Sequence, residues 1–333
     1  MADPNLGEIA SVAWEKKFGK KPTDVIFNSR AFFFSMQEDG LQESADGGRV
    51  FEYGQEFAEN TNFHSYGEAD ELDTTRINVF DALRYDQKIC AGTVVFSELD
   101  RLRTEGAGGK YDDYIALKLE NGKNSHIADM NRQLLGAGIP ANDIDGIQFV
   151  ISTTPTTGSV GGVNRATFSF HRNRQNSGAQ SASAYDNLRS ALTTTYNQCS
   201  LGGVKNTPRW VLTDRPSFQG YEQILVALEQ IQEMRVKQNA DIAFDNEMLK
   251  FKGASMFFDE DAPAGNAYLY NNTNLKVPYL KGGWMKMYPP RDPHNQLMIV
   301  NKLATFCNMA TNGSRHLGVV NATTKKISLF RYT

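Results

Sequence analysis

Apolar positions recur along this chain with two periods. The steadiest stretch runs from 111 to 136, where Ile115, Leu119, Ile127, Met130 and Leu134 fall three, four or eight residues apart and form one stripe. That spacing predicts a helix of about 40 Å at 1.5 Å per residue. Gly136-Ala137-Gly138 and Pro140 supply its stop. Asn121-Gly122 interrupts the stripe and costs on the order of 1 kcal/mol in propensity, so packing has to hold that point. A helix of this length reads as a structural spine. Shorter helical patterns fall at 6–18, 181–198 and 218–234.

Two-residue alternation marks the strands. Residues 49–57 place Phe51, Tyr53 and Phe57 on one side and Glu52, Gly54 and Glu56 on the other. Residues 88–97 read as a second strand, and 58–87 between them are polar and turn-prone. The simplest arrangement pairs these two strands as a long arm with an irregular tip. An isolated two-stranded hairpin is marginal in water. Its apolar face, with Phe51, Tyr53, Phe57 and Val95 or Phe96, must therefore rest on its own domain or on a neighbouring copy of the chain. Further strands are expected at 147–151, 210–213, 250–258, 267–270, 275–280 and 296–306. Strands and helices in mixed order indicate an α+β fold. There is no internal repeat and no long low-complexity linker, so the parts interleave into one subunit.

Composition narrows the function. At ~150 residues per domain, 333 residues make one large domain or two modest ones. A chain of this size, 40% hydrophobic, needs no disulfide or metal staple. The 35 basic and 38 acidic residues leave a net charge of -3, which argues against a protein that coats nucleic acid. A local basic patch stays open, and Lys16, Lys17, Lys20 and Lys21 either form one or end a solvated helix. No stretch approaches the ~18 apolar residues of a membrane span, and no basic-then-apolar leader is visible. Cys90, Cys199 and Cys307 lie far apart and are odd in number, which fits buried free thiols in a reducing cytoplasm.

Catalytic motifs are missing. Gly-Lys occurs at 19–20, 109–110 and 122–123, never followed by Ser or Thr as a phosphate-cradling loop requires. The chain has no Gly-x-Ser-x-Gly elbow, no His-Glu-x-x-His and no Cys-x-x-Cys, and its five histidines stand singly. Asp259-Glu260-Asp261 is the best acidic cluster. It reads as a solvated turn at a strand end or as a divalent-cation site. The second option is what a metal-dependent enzyme would use. No catalytic, cofactor-binding or metal residue is assigned.

A longer segment carries more information. Thr154-Pro155-Thr156-Thr157-Gly158-Ser159-Val160-Gly161-Gly162-Val163-Asn164-Arg165-Ala166-Thr167-Phe168-Ser169-Phe170 resembles a stretch of the major capsid proteins of tailed double-stranded DNA bacteriophages. There it commonly reads Thr-Gly-x-Val-Gly-Gly-Ile-Asn-Arg-Ala-Thr-Trp; Phe168 stands here in place of the tryptophan. Gly47-Gly48-Arg49 ahead of a strand and Ser97-Glu98-Leu99 ahead of the long helix follow the family order. So do Phe251-Lys252-Gly253-Ala254 leading to Phe258-Asp259, Tyr268-Leu269-Tyr270-Asn271-Asn272, and the stretch from Gln296. The likeness covers residues 40–320.

The resemblance implies the Hong Kong 97 capsid fold. It places an N-terminal arm at 1–45, an extended loop at 46–105 and a peripheral domain at 106–204 with spine helix 111–136. Residues 205–333 would be mainly axial domain, with a return to the peripheral sheet. It implies a non-enzymatic subunit that assembles in the bacterial cytoplasm into hexamers and pentamers of an icosahedral virion head. The implied partners are copies of itself and, non-specifically, packaged DNA, with a portal and a decoration protein as further candidates and either a separate scaffolding protein or none; no cofactor and no membrane are implied. About 45 residues precede the extended loop, too few for a fused scaffold, and no inter-subunit cross-link is expected. Candidate inter-subunit contacts are Arg49, Phe51, Tyr53, Phe57 and Trp14. An encapsulin-like shell around protein cargo shares the fold and is the nearest alternative. A soluble α+β binding module is the third reading.

Overall fold

The amphipathic run at 111–136 forms one helix, Lys110–Leu135, and the rest of the chain is arranged around the sheet it lies on. The computed structural model describes residues 30–68, 70–99, 110–177, 184–227, 249–291 and 296–321. The predicted helix over 6–18, with Trp14 and the Lys16–Lys21 cluster, lies outside them, as does the end of the helix expected over 218–234.

In chain order, the elements begin with α1 (Ala31–Glu38) and four strands, β1 (Gln42–Ala45), β2 (Val50–Glu56), β3 (Phe80–Asp86) and β4 (Lys88–Ser97). Then come α2 (Lys110–Leu135), the single turn α3 (Ile147–Val150), the two-residue strands β5 (Ser159–Val160) and β6 (Val163–Asn164), and β7 (Arg174–Ser177). The next stretch holds α4 (Ala184–Cys199), β8 (Trp210–Thr213) and α5 (Arg215–Ala227). The remainder is β-rich: β9 (Leu249–Phe251), β10 (Ala254–Phe258), β11 (Asn266–Tyr270), β12 (Leu275–Leu280), β13 (Lys286–Met287), β14 (Met298–Cys307), β15 (Ala310–Thr311) and β16 (Gly318–Asn321).

Two six-stranded sheets organise the molecule. The first runs β1-β12-β14-β13, with β15 also on β12 and β4 on β14. The second runs β7-β16-β11-β8-β10-β9. In the first sheet β4 and β14 form a long antiparallel ribbon, from Ser97 opposite Met298 to Lys88 opposite Cys307. Helix α2 covers one face of that ribbon. Gly122 lies so close that a Cβ there would sit 2.4 Å from Val94 Cγ2. The glycine that weakens the helix thus permits its close approach to β4. Further along, His126 Nε2 lies 2.8 Å from Thr305 Oγ1 on β14.

The second sheet is buried on both faces. Val211, Met256 and Leu269 pack with Leu192, Tyr221 and Leu225 of α4 and α5. Their neighbours Leu212, Phe257 and Tyr268 point the other way, into a core shared with Met130 and Leu134 of α2 and with α1. Burial of both faces is why these strands read as nearly continuous apolar runs. All three cysteines are buried and free.

Several expectations need correction. Strand β2 pairs with β3, Val50 opposite Asp86 to Glu56 opposite Phe80, and not with 88–97. Of β3 only Leu83 and Tyr85 are buried, so its alternation is faint in sequence, whereas β4 carries apolar residues on both faces and enters the main sheet. Residues 147–150 are a helical turn instead of a strand. A four-residue apolar run cannot tell the two apart; here Gly136 O and Leu135 O accept from Gln148 N and Nε2, which seats the turn on the end of α2. The run 250–258 is two strands, β9 and β10, folded at Lys252 and Gly253 with φ 49° and 92°. Within the segment 1–45, Phe32, Phe33 and Met36 are fully buried, and β1 pairs parallel with β12.

Candidate functional site

The acidic cluster is an internal fastener. Asp259 is 0% exposed, so the solvated-turn reading fails for it. Its Oδ2 accepts from Phe32 N at 3.0 Å, its Oδ1 accepts from Asp261 N at 2.9 Å, and Asn131 Nδ2 donates to both oxygens at 3.2 and 3.3 Å. Asn131 Oδ1 in turn accepts from Phe33 N at 3.2 Å. Helix α1 has no side-chain cap of its own at Arg30. A carboxylate from after β10 and an amide from α2 cap it instead, satisfying two amides that would otherwise be orphaned. Burial raises the Asp259 pKa, and the hydrogen bonds from Phe32, Asp261 and Asn131 oppose that rise. Both carboxylate oxygens face N–H donors, an arrangement unsuited to a cation. Glu260 reaches Arg215 at 3.4 Å. Among the described residues no group of three His, Cys, Asp or Glu is placed to hold a metal, and no helix is long and apolar enough to cross a membrane.

The glycine-rich segment does something different: it clasps the β2–β3 hairpin. Strands β5 and β6 form a miniature hairpin of their own, with Val160 opposite Val163. Gly161 at its turn has φ +61°, and a Cβ there would lie 3.0 Å from both Leu83 Cβ and Tyr85 Oη. Gly161 O accepts from Arg84 N at 3.0 Å. Phe51, Leu83 and Tyr85 of the larger hairpin pack with Val160 and Ala310. Tyr85 OH donates to Thr311 O at 2.9 Å. Across the hairpin's outer face Glu52 and Arg84 form an ion pair at 3.0 Å.

Beneath the clasp lie two buried titratable groups. Arg165 is 1% exposed; its Nη2 donates to Val150 O at the end of α3, and its Nε has no hydrogen-bond partner among the described residues. Burial lowers its pKa to about 10. His171, fully buried, has Nε2 3.0 Å from Val160 O and Nδ1 3.5 Å from Ser314 Oγ. Burial, and then the charge of Arg165, push its pKa down to about 4. The clasp is therefore assembled with a neutral imidazole beside a desolvated guanidinium.

The predicted contact residues scatter around this clasp. Phe51 is buried in its own chain, packed against Leu83 and Tyr85. Tyr53 is half-buried, meets the Tyr85 ring edge-on at 6.3 Å, and donates its hydroxyl to Glu43 at 3.1 Å. Phe57 stacks on Phe170 at 5.5 Å, and Phe168 lies 5.6 Å further along. Arg49 is exposed just before β2, and Trp14 is outside the described residues. The hairpin's apolar face thus rests on its own domain. Among the described residues its tip, between Phe57 and Val79, keeps its hydrogen bonds to itself, as in Asn62 Nδ2 to Thr75 O at 2.7 Å and Asp73 N to Tyr66 Oη at 3.0 Å, and holds Phe63 and Leu72 outward, 86% and 69% exposed. Sequence reading missed Tyr85, Arg165 and His171 as a unit. The available signal was the positive-φ glycine pair Gly161-Gly162, which marks a close backbone approach.

No family model matches the chain, and no curated protein does. Solved structures do match it. A chain of the Cyanophage A-1(L) capsid asymmetric unit superposes with a TM-score of 0.66 at 12% identity, over 91% of this chain and 95% of that one. The Hong Kong 97-type capsid fold is the fold of this chain. A subunit of an encapsulin complex from Synechococcus elongatus PCC 7942 shares the capsid fold with a TM-score of 0.58 at 9% identity, over 94% and 96% of the two chains. The capsid of Myoviridae Phage XM1 gives 0.55 at 8%, over 91% and 95%. At these identities the capsid fold is held by the placement of its elements and not by shared side chains.

Proposed function

We propose that the chain is a structural, non-enzymatic shell subunit, a phage-type major capsid protein whose copies form hexamers and pentamers of an icosahedral head around double-stranded DNA. The observation that carries this reading is the end-to-end correspondence with the Cyanophage A-1(L) capsid chain, 91% of one and 95% of the other. Residues 46–105 serve as the extended loop, α2 as the spine of a peripheral domain at 106–204, and 205–333 mainly as the axial domain. The ribbon of β14 with β4 brings the late chain back onto the last strand of 46–105, beside α2, which supports a return of the late chain to the sheet under the spine helix. The N-terminal arm is 1–45, and its last part, from Arg30 on, packs on the rest of the chain through α1 and β1.

The mechanism is assembly. Closed symmetry needs each copy to present matching surfaces to its neighbours. The clasp holds the foot of the extended loop rigidly on its own subunit, so the tip projects at a defined angle toward the next. Arg49, Phe51, Tyr53, Phe57 and Trp14 are the candidate contacts, Phe51 through the little of it that its own chain leaves exposed. A near-neutral charge keeps the shell wall from gripping the packaged DNA. Portal, decoration protein and separate scaffold are the other proposed partners, and the virion is the proposed location.

The test is negative-stain microscopy and sedimentation of the purified chain, alone and with its scaffold co-expressed. Rings of five or six or closed shells support the proposal, and a chain that stays monomeric under both conditions overturns it. The encapsulin match favours a second reading, a shell around protein cargo. The contents of isolated particles separate the two: nuclease-protected DNA for a head, a defined protein for a cargo shell.

A further inference from the structure

Charge is divided unevenly along the chain. Residues 1–145 hold 26 acidic and 15 basic side chains, and residues 146–333 hold 12 acidic and 20 basic. Three stretches of the second part, 146–185, 187–213 and 293–333, contain no Asp or Glu at all. A near-neutral total therefore conceals a separation of charge, and what matters is where the fold puts the surplus cations.

The three stretches meet at the C-terminal end of α4. There His316 Nδ1 donates to Cys199 O at 3.2 Å. The loop that follows α4 folds back on the same ring: a Cβ on Gly202 would lie 3.0 Å from Asn206 Nδ2 and 3.6 Å from His316 Cε1. Asn274 ties the two segments together. It donates to Asn206 Oδ1 at 3.4 Å, and its Oδ1 would stand 2.7 Å from a Cβ on Gly313. Strand β7 brings the third stretch, with Arg174 opposite Gly318. Lys205 and Arg315, next in sequence to Asn206 and His316, come out exposed on this corner, and Arg174 is half-buried behind them. Among the described residues none of the three cations forms an ion pair, and the Arg174 Nε makes no hydrogen bond. His316 senses the same imbalance. Burial lowers its pKa, the Cys199 hydrogen bond opposes that, and Arg315 and Arg174 push it down further. A nearby carboxylate would act the other way, and none is among the charges that act on it. Arg209, at the edge of the corner, differs, because Asp39 lies close to it.

Cations gathered without acids repel one another and add nothing to a compact fold. An external polyanion relieves them, and a corner otherwise built of amides and glycine lets phosphates approach without meeting negative charge. We infer that Lys205 and Arg315, backed by Arg174, meet the sugar-phosphate backbone of packaged duplex DNA, through charge and without reading bases. This rests on the shell-subunit reading and puts the α4 C-terminal corner on the side of the wall that faces the genome. So few phosphate contacts per copy are weak and salt-labile, so a lattice of them orders the outermost DNA without gripping it.

The test is fluorescence anisotropy of a labelled duplex of arbitrary sequence with the purified full chain, titrated with salt from low concentration upward. Lys205→Gln with Arg315→Gln removes two exposed cations and leaves the buried frame intact. Each phosphate contact contributes about 0.9 to the slope of log affinity against log salt, so the slope is expected to become shallower by about 1.8. Arg189→Gln with Lys250→Gln removes two exposed cations elsewhere, Lys250 on β9 at the opposite edge of the sheet from β7, and is expected to leave the slope unchanged. An unchanged slope in the corner variant, an equal change in the control, or no binding by the unaltered chain at low salt overturns the inference. Lost particle yield with unchanged duplex binding also overturns it, and gives the corner to an acidic protein partner instead. In filled particles formaldehyde is expected to bridge Lys205 to DNA, and a crosslink profile that marks other lysines but omits Lys205 sinks the assignment. Assembly of the unaltered chain is scored separately, with scaffold wherever it needs one. If shells never form, the shell reading falls and takes this inference with it; if they form and the duplex ignores the corner, only the corner is wrong.

Discussion

Replacing Gly122 by alanine sets two effects of similar size against each other. In an exposed helix interior the change would stabilise by about 1 kcal/mol, because alanine is the better helix former. Here the new Cβ would stand 2.4 Å from Val94 Cγ2, far inside the ~3.5–4.0 Å of a comfortable carbon contact. Val94 cannot turn aside cheaply, since branching at Cβ leaves it few χ1 options. Either α2 lifts from β4 or the strand shifts, and such overpacking costs about 1–3 kcal/mol. The net expectation for Gly122→Ala is a loss of roughly 0–2 kcal/mol, opposite in sign to the propensity argument. The decisive assay is a double-mutant cycle with Val94→Ala, read from guanidinium unfolding midpoints at unchanged slope. With the valine methyls removed, Gly122→Ala should become stabilising by about 1 kcal/mol. A stabilising Gly122→Ala in the unaltered chain, or an equal cost in both backgrounds, would refute the reasoning.

Three further expectations follow from the fastener and the clasp. Asp259→Asn is expected to destabilise by about 1–3 kcal/mol, because the groups hydrogen-bonded to the carboxylate are all N–H donors and the new amide turns its own donor toward one of them; an unchanged thermal midpoint would contradict this. Gly161→Ala forces a left-handed conformation, worth about 1–2 kcal/mol, and presses on Leu83 and Tyr85, so hydrogen exchange of Arg84 N–H should accelerate while that of the α2 amides does not. His171 is held neutral to about pH 4 in the folded chain, against an ordinary value of 6.5. Between those limits the unfolded chain binds a proton that the folded chain refuses, so stability is full above pH 6.5 and declines as pH falls toward 4. His126 and His316 are also shifted downward by burial and add to this slope, so His171→Gln should flatten the unfolding midpoint against pH in part; an unchanged slope would show that the imidazole is not buried neutral.

What the sequence determined alone is whatever depends on local period. The five-residue stripe from Ile115 to Leu134 sufficed to place α2 within one residue at either end, because a 3.6-residue repeat over several turns has no competing reading. The strands β8, β11, β12 and β14 and the Phe51–Tyr53 alternation were legible for the same reason. The ordered run of family-like segments likewise pointed to the capsid fold, which the solved structures share. Pairing was not legible. Both 80–86 and 88–97 can accept a strand partner, and only the bulk of the rest of the sheet draws β4 to β14 and leaves β3 for β2. Nor was the meaning of Gly122, which looks like a flaw in a helix until Val94 is seen against it. Asp259 is the sharpest case. Three adjacent acids read as a wet turn because sequence proximity predicts mutual repulsion, yet 227 residues separate Asp259 from the Phe32 amide it caps. Long-range contacts of that kind cost loop-closure entropy and leave no local trace, so only the tertiary structure decides which charge is buried and what satisfies it.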